Sequence, residues 1–252
     1  ASVIDIRRIA RHALLLDDPL GDGPGERCPL VIYGEKDEAP IHIGPAVCTI
    51  GAFDGIHEGH RFLIHSMIED AHRRGLPSVI ITFDVDPDEY FRPIESVRKV
   101  LDNETRMDML RRIGADLVLV VPFSKEIAAL THERFFADVI GTIFDPAAVH
   151  VGHDFKLGAA GQGTMDVLIP WGEKNGVIMV PYDLVCARGL PISSTRIRTL
   201  VEGGHLERAR ELLGAHGHRV GTPGVEPAPA GRVDQVRRGP VDVVQAGGVQ
   251  RD

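Results

Sequence analysis

Two histidines, His57 and His60, stand three residues apart behind a glycine-rich turn that runs Gly51-Ala52-Phe53-Asp54-Gly55-Ile56, and the turn itself follows an apolar run at 46–50. The run reads as a buried strand, and the histidines open an amphipathic helix over 59–74. Positions i and i+3 share a helix face, so both imidazoles can meet one ligand. The ligand expected there is an anion, because a helix N-terminus presents unpaired N–H groups and a partial positive charge. Gly59, between the two, lets that ligand approach the backbone. Two other readings compete. Surface histidines are commonly just solvated, and His-Glu-x-x-His is a zinc pattern. Here the spacing is His-Glu-Gly-His, one residue short of the i, i+4 geometry zinc requires. The order strand, glycine turn, helix favours a nucleotide phosphate.

A second segment, Pro191-Ile192-Ser193-Ser194-Thr195-Arg196-Ile197-Arg198, reads as a helix start with Ser193 or Ser194 as N-cap and an apolar face through Ile197, Leu200 and Val201. Its first-turn N–H groups, the hydroxyls of Ser194 and Thr195, and the Arg196 guanidinium could hold departing phosphates. An ordinary capped surface helix is the alternative. Between the two lies Gly152-His153-Asp154-Phe155-Lys156-Leu157-Gly158, after an apolar strand at 147–151. A carboxylate at a strand end, Asp154, suits either Mg²⁺ or a loop cap. Asp54 suits a turn cap better than catalysis.

In this order and spacing the segments resemble the FMN adenylyltransferase module of bacterial bifunctional riboflavin kinase/FAD synthetases, over roughly residues 46–215, with Ile80-Ile81-Thr82-Phe83 as a further match. The His-x-Gly-His part alone marks only the wider nucleotidyltransferase superfamily. The resemblance implies Mg²⁺-dependent transfer of the adenylyl group of ATP to FMN, giving FAD and pyrophosphate. By the same resemblance His57, His60, Asp154 and Arg196 are catalytic, with Asp154 the metal ligand. Gly51, Phe53, Asp54, Gly59, Gly152, Ser193, Ser194, Thr195 and Arg198 surround the substrates. Phe91 and Phe135 fit positions near the flavin ring, with core packing as the alternative. Two departures concern the flavin side: Thr82-Phe83-Asp84-Val85-Asp86-Pro87 stands where the family carries Thr-Phe-x-Pro-His-Pro, and Leu157 stands where phenylalanine is usual. They keep open a different phosphorylated acceptor, or a non-catalytic flavin- or nucleotide-binding protein. The family's Pro-Thr-Ala-Asn kinase motif is absent and 38 residues follow Gly214, so riboflavin phosphorylation is not expected.

These motifs need a scaffold that gathers strand ends. Apolar strands at 46–50, 78–83, 117–121, 147–151 and 177–181 alternate with helices at 59–74, 103–113 and about 131–141, and with a weak helix interrupted by Pro170. That alternation predicts an α/β fold, a Rossmann-like parallel sheet with helices on both faces and right-handed crossovers. Residues 1–45 read as an N-terminal extension, with a helix-like piece at 4–16 and an apolar piece at 29–33. Residues 46–214 read as the adenylyltransferase-like domain, and 215–252 as a linker or tail. The net charge of −8 argues against non-specific nucleic-acid binding. No apolar run approaches the length of a membrane span. Three scattered cysteines, Cys28, Cys48 and Cys186, fit reduced thiols and a cytoplasmic location.

Overall fold

Three strands, at 45–50, 78–83 and 117–121, are apolar at nearly every position and buried almost end to end, as strands covered on both faces are. The computed structural model describes residues 28–33, 42–91 and 99–214; the helix-like piece at 4–16 and the tail at 215–252 lie outside the described residues. Six parallel strands form one sheet in the order β1-β4-β3-β2-β5-β6. They are β1 (Leu30–Ile32), β2 (Pro45–Ile50), β3 (Ser78–Phe83), β4 (Leu117–Val121), β5 (Asp145–Gly152) and β6 (Ile178–Tyr182). β1 comes from the apolar piece assigned above to the extension; it pairs with β4 as an edge strand, Val31 opposite Leu119.

Alternate residues of each strand serve different cores. Cys48, Ile50, Val79, Ile81, Leu119 and Val149 face one layer, while Val47, Ile80, Val118 and Ala148 face the other. The second layer is covered by α1 (Glu58–Arg74), through Leu63, Ile64, Met67 and Ile68, and by Leu110 of α3 (Asn103–Arg112). Each such side chain contributes about 2 kcal/mol by leaving water. Phe62 of the same helix is 50% exposed and meets Tyr182 edge-on at 5.7 Å. α1 stops at Gly75, whose left-handed φ of 65° lets its N–H reach the carbonyls of Ala71 and His72.

The first layer holds Phe135, Phe136, Val139 and Ile140. The single helix expected at 131–141 is composite: α5 (His132–Arg134) passes into a π-helical turn, Phe135–Val139, and a 3₁₀ turn, Ile140–Thr142. Pro170 does not interrupt its helix. α6 (Met165–Asn175) runs through it, because burial of Met165, Leu168 and Gly172 against the sheet outweighs one missing hydrogen bond. Two short α-helices complete the middle of the chain: α2 (Pro87–Phe91) precedes α3, and α4 (Lys125–Ala128) precedes α5. A hairpin, β7 (Cys186–Ala187) and β8 (Leu190–Pro191), leads into α7 (Ser194–Glu202) and α8 (Leu206–Leu213). These last helices close a third small core around Ile192, Ile197 and Leu212.

A polar brace ties α1 to the sheet. His150 of β5, almost fully buried, places Nε2 3.1 Å from Asp70 Oδ2 and Nδ1 2.9 Å from the Tyr182 hydroxyl. Asp70 also accepts from Arg73 and Arg74 at 2.9 and 2.8 Å. Burial alone would raise the Asp70 pKa; hydrogen bonds from His150, Arg73 and Arg74 outweigh it and bring the group down to about 2.

Candidate functional site

The chain reverses its direction of sheet growth between β2 and β5, which are hydrogen-bonded neighbours: β3 and β4 add on one side, β6 on the other. In open parallel sheets the crevice outside the strand ends at such a reversal is where ligands bind. The turn after β2 and the Gly152-His153-Asp154 loop after β5 both open into it, as the sequence reading requires.

The turn is tightly wound. Phe53, Gly55 and Ile56 have φ of 52°, 82° and 39°. Left-handed backbone at a bulky residue costs of the order of 1–3 kcal/mol and persists only where the surroundings enforce it. Here burial enforces it: Phe53 and Ile56 are sealed in the core beneath α1. The Phe53 ring lies so close under Gly51 that a Cβ there would stand 3.0 Å from it. Phe53 and Gly51 thus shape the turn, and the Phe53 edge supports His60 at 5.3 Å.

His57 is the N-cap of α1. Its Nδ1 accepts the His60 N–H at 3.3 Å, which leaves Nε2 as the protonated nitrogen of the neutral ring. The two imidazoles stack with centroids 3.7 Å apart and planes 17° from parallel. Burial pushes the His57 pKa down to about 4. His60 is held well below the usual histidine range, first by burial and then by its neighbour. Both rings are therefore neutral at pH 7, each with one ring N–H at the helix N-terminus rather than a fixed positive charge. A Cβ on Gly59 would lie 3.2 Å from the His57 ring, so that ring position requires glycine.

The serine-rich segment arrives at the same place. Ser193 is the N-cap of α7, accepting from the Arg196 N–H at 3.2 Å. Ser194 Oγ donates to the Asp54 carbonyl at 2.6 Å, and Arg198 Nη1 lies 3.7 Å from Asp54 Oδ2. The other Asp54 oxygen accepts from the Val100 N–H at 3.1 Å. Asp54 thus clasps the two motifs together. Its pKa is raised by burial, against the opposing pull of the Val100 N–H and Arg198. Thr195 is exposed on the first turn of α7 and accepts from Arg198 at 3.3 Å. Arg196 departs from expectation: its Nη1 donates to the carbonyls of Ala187, Leu190 and Pro191 at 3.3, 2.8 and 3.0 Å, so it clamps the hairpin.

Asp154 is exposed at the end of β5, folded back so that a Cβ on Gly152 would stand 2.9 Å from its Oδ1. Among the described residues no group of three or more His, Cys, Asp or Glu side chains could hold a metal ion. A Mg²⁺ carried by phosphates needs only one or two carboxylates and keeps most of its waters, and a lone exposed Asp154 fits that mode.

On the β3–β4 side, Phe91 is 64% exposed and forms edge-on contacts with Tyr90 and Phe123 at 5.6 and 5.9 Å; Phe123 in turn meets Phe83 at 5.5 Å. Asp84 of the altered segment builds this patch: its Oδ1 accepts from the Phe123 N–H at 2.7 Å. Phe135 and Leu157 do not belong to it. Both are core residues, 2% and 6% exposed, and Leu157 exchanges backbone hydrogen bonds with Gly163. Larger side chains at 157 would overpack the core rather than extend a binding surface.

Two arginines escaped the sequence reading. Arg61 follows His60 and lies i+4 from His57; its Nε is sealed from solvent without a hydrogen-bond partner. Arg106 is buried at the ends of β2 and β3. The signal for Arg106 was present: it stands four residues before Leu110 and seven before Ile113, on the buried stripe of its helix, where an unpaired cation is not tolerated.

A doubly wound parallel sheet, a histidine-capped helix at its reversal point and a second capped helix clasped to it thus build one crevice. Comparison with known proteins supplies the family. The model of the FAD synthetase family matches residues 40–196, and the chain belongs to that family. A bifunctional riboflavin kinase/FMN adenylyltransferase of Escherichia coli strain K12 is 33% identical over 168 residues, covering 67% of this chain and 54% of the relative. A relative from Geobacillus thermodenitrificans, described provisionally by the same two activities, is 31% identical, with 67% of this chain and 89% of the relative covered. The chain spans about half the length of the Escherichia coli protein. A crystal structure described as a macrolide-efflux protein from Streptococcus pneumoniae superposes with a TM-score of 0.63 at 27% identity, covering 75% of this chain and 62% of that one. Among the described residues no helix is long and apolar enough to cross a membrane.

Proposed function

We propose that this chain transfers the adenylyl group of ATP to FMN. An FMN phosphate oxygen attacks the α-phosphorus of ATP, a new P–O–P bond forms, the bond to the β-phosphate breaks, and pyrophosphate leaves. One observation carries the reading: within the segment that matches the FAD synthetase family, both phosphate-seeking helix starts meet at the sheet's reversal point, joined by Asp54. The work required is placement of two anions and offset of their charge. His57 Nε2–H, His60 and the N-terminal N–H groups of α1 and α7 donate to the triphosphate. Arg61 and Arg198 supply positive charge, and Ser194 and Thr195 line the entrance. Arg196 contributes by holding the hairpin that presents α7. Mg²⁺, bound through the phosphates and Asp154, would offset charge on the triphosphate when present. Phe91, with Tyr90 and Phe123, offers the acceptor's ring a stacking surface.

The test is direct. Purified chain is incubated with ATP, Mg²⁺ and FMN, and the products are separated by chromatography. FAD and pyrophosphate in equal amounts are expected. ATP binding without FAD would refute the reading and favour another phosphorylated acceptor, for which the altered 82–87 segment gives the reason.

A further inference from the structure

Arg106 is a buried charge that the proposed reaction leaves without a role. It is 5% exposed, and its guanidinium is shared among three elements. Nη1 donates to the Ala52 carbonyl and, at 2.9 Å, to Thr82 Oγ1. Nη2 donates to the Phe83 carbonyl at 2.6 Å and to Asn103 Oδ1 at 2.7 Å. Ala52 lies in the turn that leads to His57. Phe83 supports Phe123, the inner ring of the exposed aromatic patch. One planar group therefore bridges the turn that carries the histidines and the base of the aromatic surface.

The geometry of that bridge is rigid. A guanidinium holds its donors in a fixed fork, so the acceptors it joins are fixed relative to one another. Without it, the buried Phe83 carbonyl would lose its guanidinium donor, and the Ala52 carbonyl would keep only the long hydrogen bond from Thr82 Oγ1 at 3.4 Å. In-line attack at phosphorus is sensitive to such shifts; a misplacement of about 1 Å can lower the rate about 10²-fold.

We infer that Arg106 is a positioning residue that sets the distance between the triphosphate held at α1 and the acceptor seated on the aromatic patch. This rests on the adenylyl-transfer reading above. It makes Arg106 act on turnover rather than on the affinity of either substrate, since its guanidinium is engaged with the supports of both sites.

The experiment compares full-length wild type with Arg106→Lys and Arg106→Met. Binding of a non-hydrolysable ATP analogue and of FMN is measured separately by calorimetry, and kcat from FAD formation. In Arg106→Met, kcat should fall about 30-fold or more while each Kd stays within about threefold. Arg106→Lys should recover part of the rate, because one ammonium can satisfy some but not all four acceptors. An unchanged kcat, or affinities that weaken in step with kcat, would overturn the inference. Should Arg106→Met fail to fold, Arg106→Lys and Asn103→Ala carry the same comparison. A second readout needs no turnover. Amide exchange at 51–57 and at Val121 and Phe123 should rise together, about tenfold, in Arg106→Lys. Unchanged protection overturns the bridge even if the wild-type chain makes no FAD, a result that by itself would sink only the proposed reaction.

Discussion

His57 caps α1 and, in the proposed reaction, also donates to the triphosphate, and the two duties can be separated. Asparagine is among the best N-caps, so His57→Asn should keep stability within about 1 kcal/mol of wild type by urea denaturation. Turnover should still fall about 10²-fold, as removal of one charge-stabilising donor does elsewhere. Equal loss of both would show that the ring serves the fold alone. A second consequence follows from its titration. The folded group has a pKa of about 4 against 6.5 for the free side chain. The unfolded chain therefore binds a proton that the native state refuses throughout that interval. The stability His57 contributes is complete above pH 6.5 and is lost as pH falls towards 4, about 3 kcal/mol in all as an order of magnitude. Denaturation midpoints at pH 7.5 and 4.5 should differ less in His57→Asn than in wild type; an equal difference would contradict the burial. The spacing of the histidines was legible in the sequence. Their stacking and neutrality were not, because burial depends on Phe53 folding back beneath the turn, a contact that no helical or strand period encodes.

At the scale of elements, the strands were readable because two-sided burial leaves them apolar end to end. β2, β3 and β4 fall where periodicity puts them to within a residue. β1 was harder, being three residues long and only half-buried at the sheet edge. The α5 region and Pro170 were misjudged for one reason: local propensity was overruled by tertiary packing. The first turn of α1 yields a prediction of this kind. Alanine is a better helix former than glycine by about 1 kcal/mol, so propensity alone makes Gly59→Ala harmless or stabilising. The added Cβ would press on the His57 ring at 3.2 Å. Thermal stability should therefore change little while FAD formation falls about tenfold or more. A variant with normal turnover would show that the ring can shift without consequence. Arg196 teaches the converse. Its place beside the N-cap serines suggested phosphate binding, whereas only the three-dimensional course of the hairpin reveals three carbonyls waiting for it.

For the molecule as a whole, a parallel sheet was implied by alternating helices and strands, but the strand order, and with it the position of each motif relative to the reversal point, became definite only with the pairing of β2 and β5. That pairing has a kinetic side. Thr49 and His150 are adjacent in the sheet yet roughly a hundred residues apart in the chain. Closing so long a loop is entropically unfavourable until many contacts form together, and topologies dominated by such pairings fold slowly. The half built from β2, β3 and β4 can organise first, and the crevice comes into being only when β5 docks. With that order of events, a nucleotide that spans the crevice would meet its site after the main barrier on folding, and would have to leave before that barrier on unfolding. At a ligand concentration of about a hundred times Kd the native state gains about 2.7 kcal/mol, and nearly all of it should appear as unfolding slowed about 100-fold, with the refolding rate unchanged. Stopped-flow refolding and unfolding with and without an ATP analogue would measure both limbs; acceleration of refolding would mean that the crevice forms early. On the proposed reaction, the meeting of the two halves at β2 and β5 would thus make substrate a brake on the loss of the native state, and the lifetime of the folded protein a quantity set by nucleotide supply.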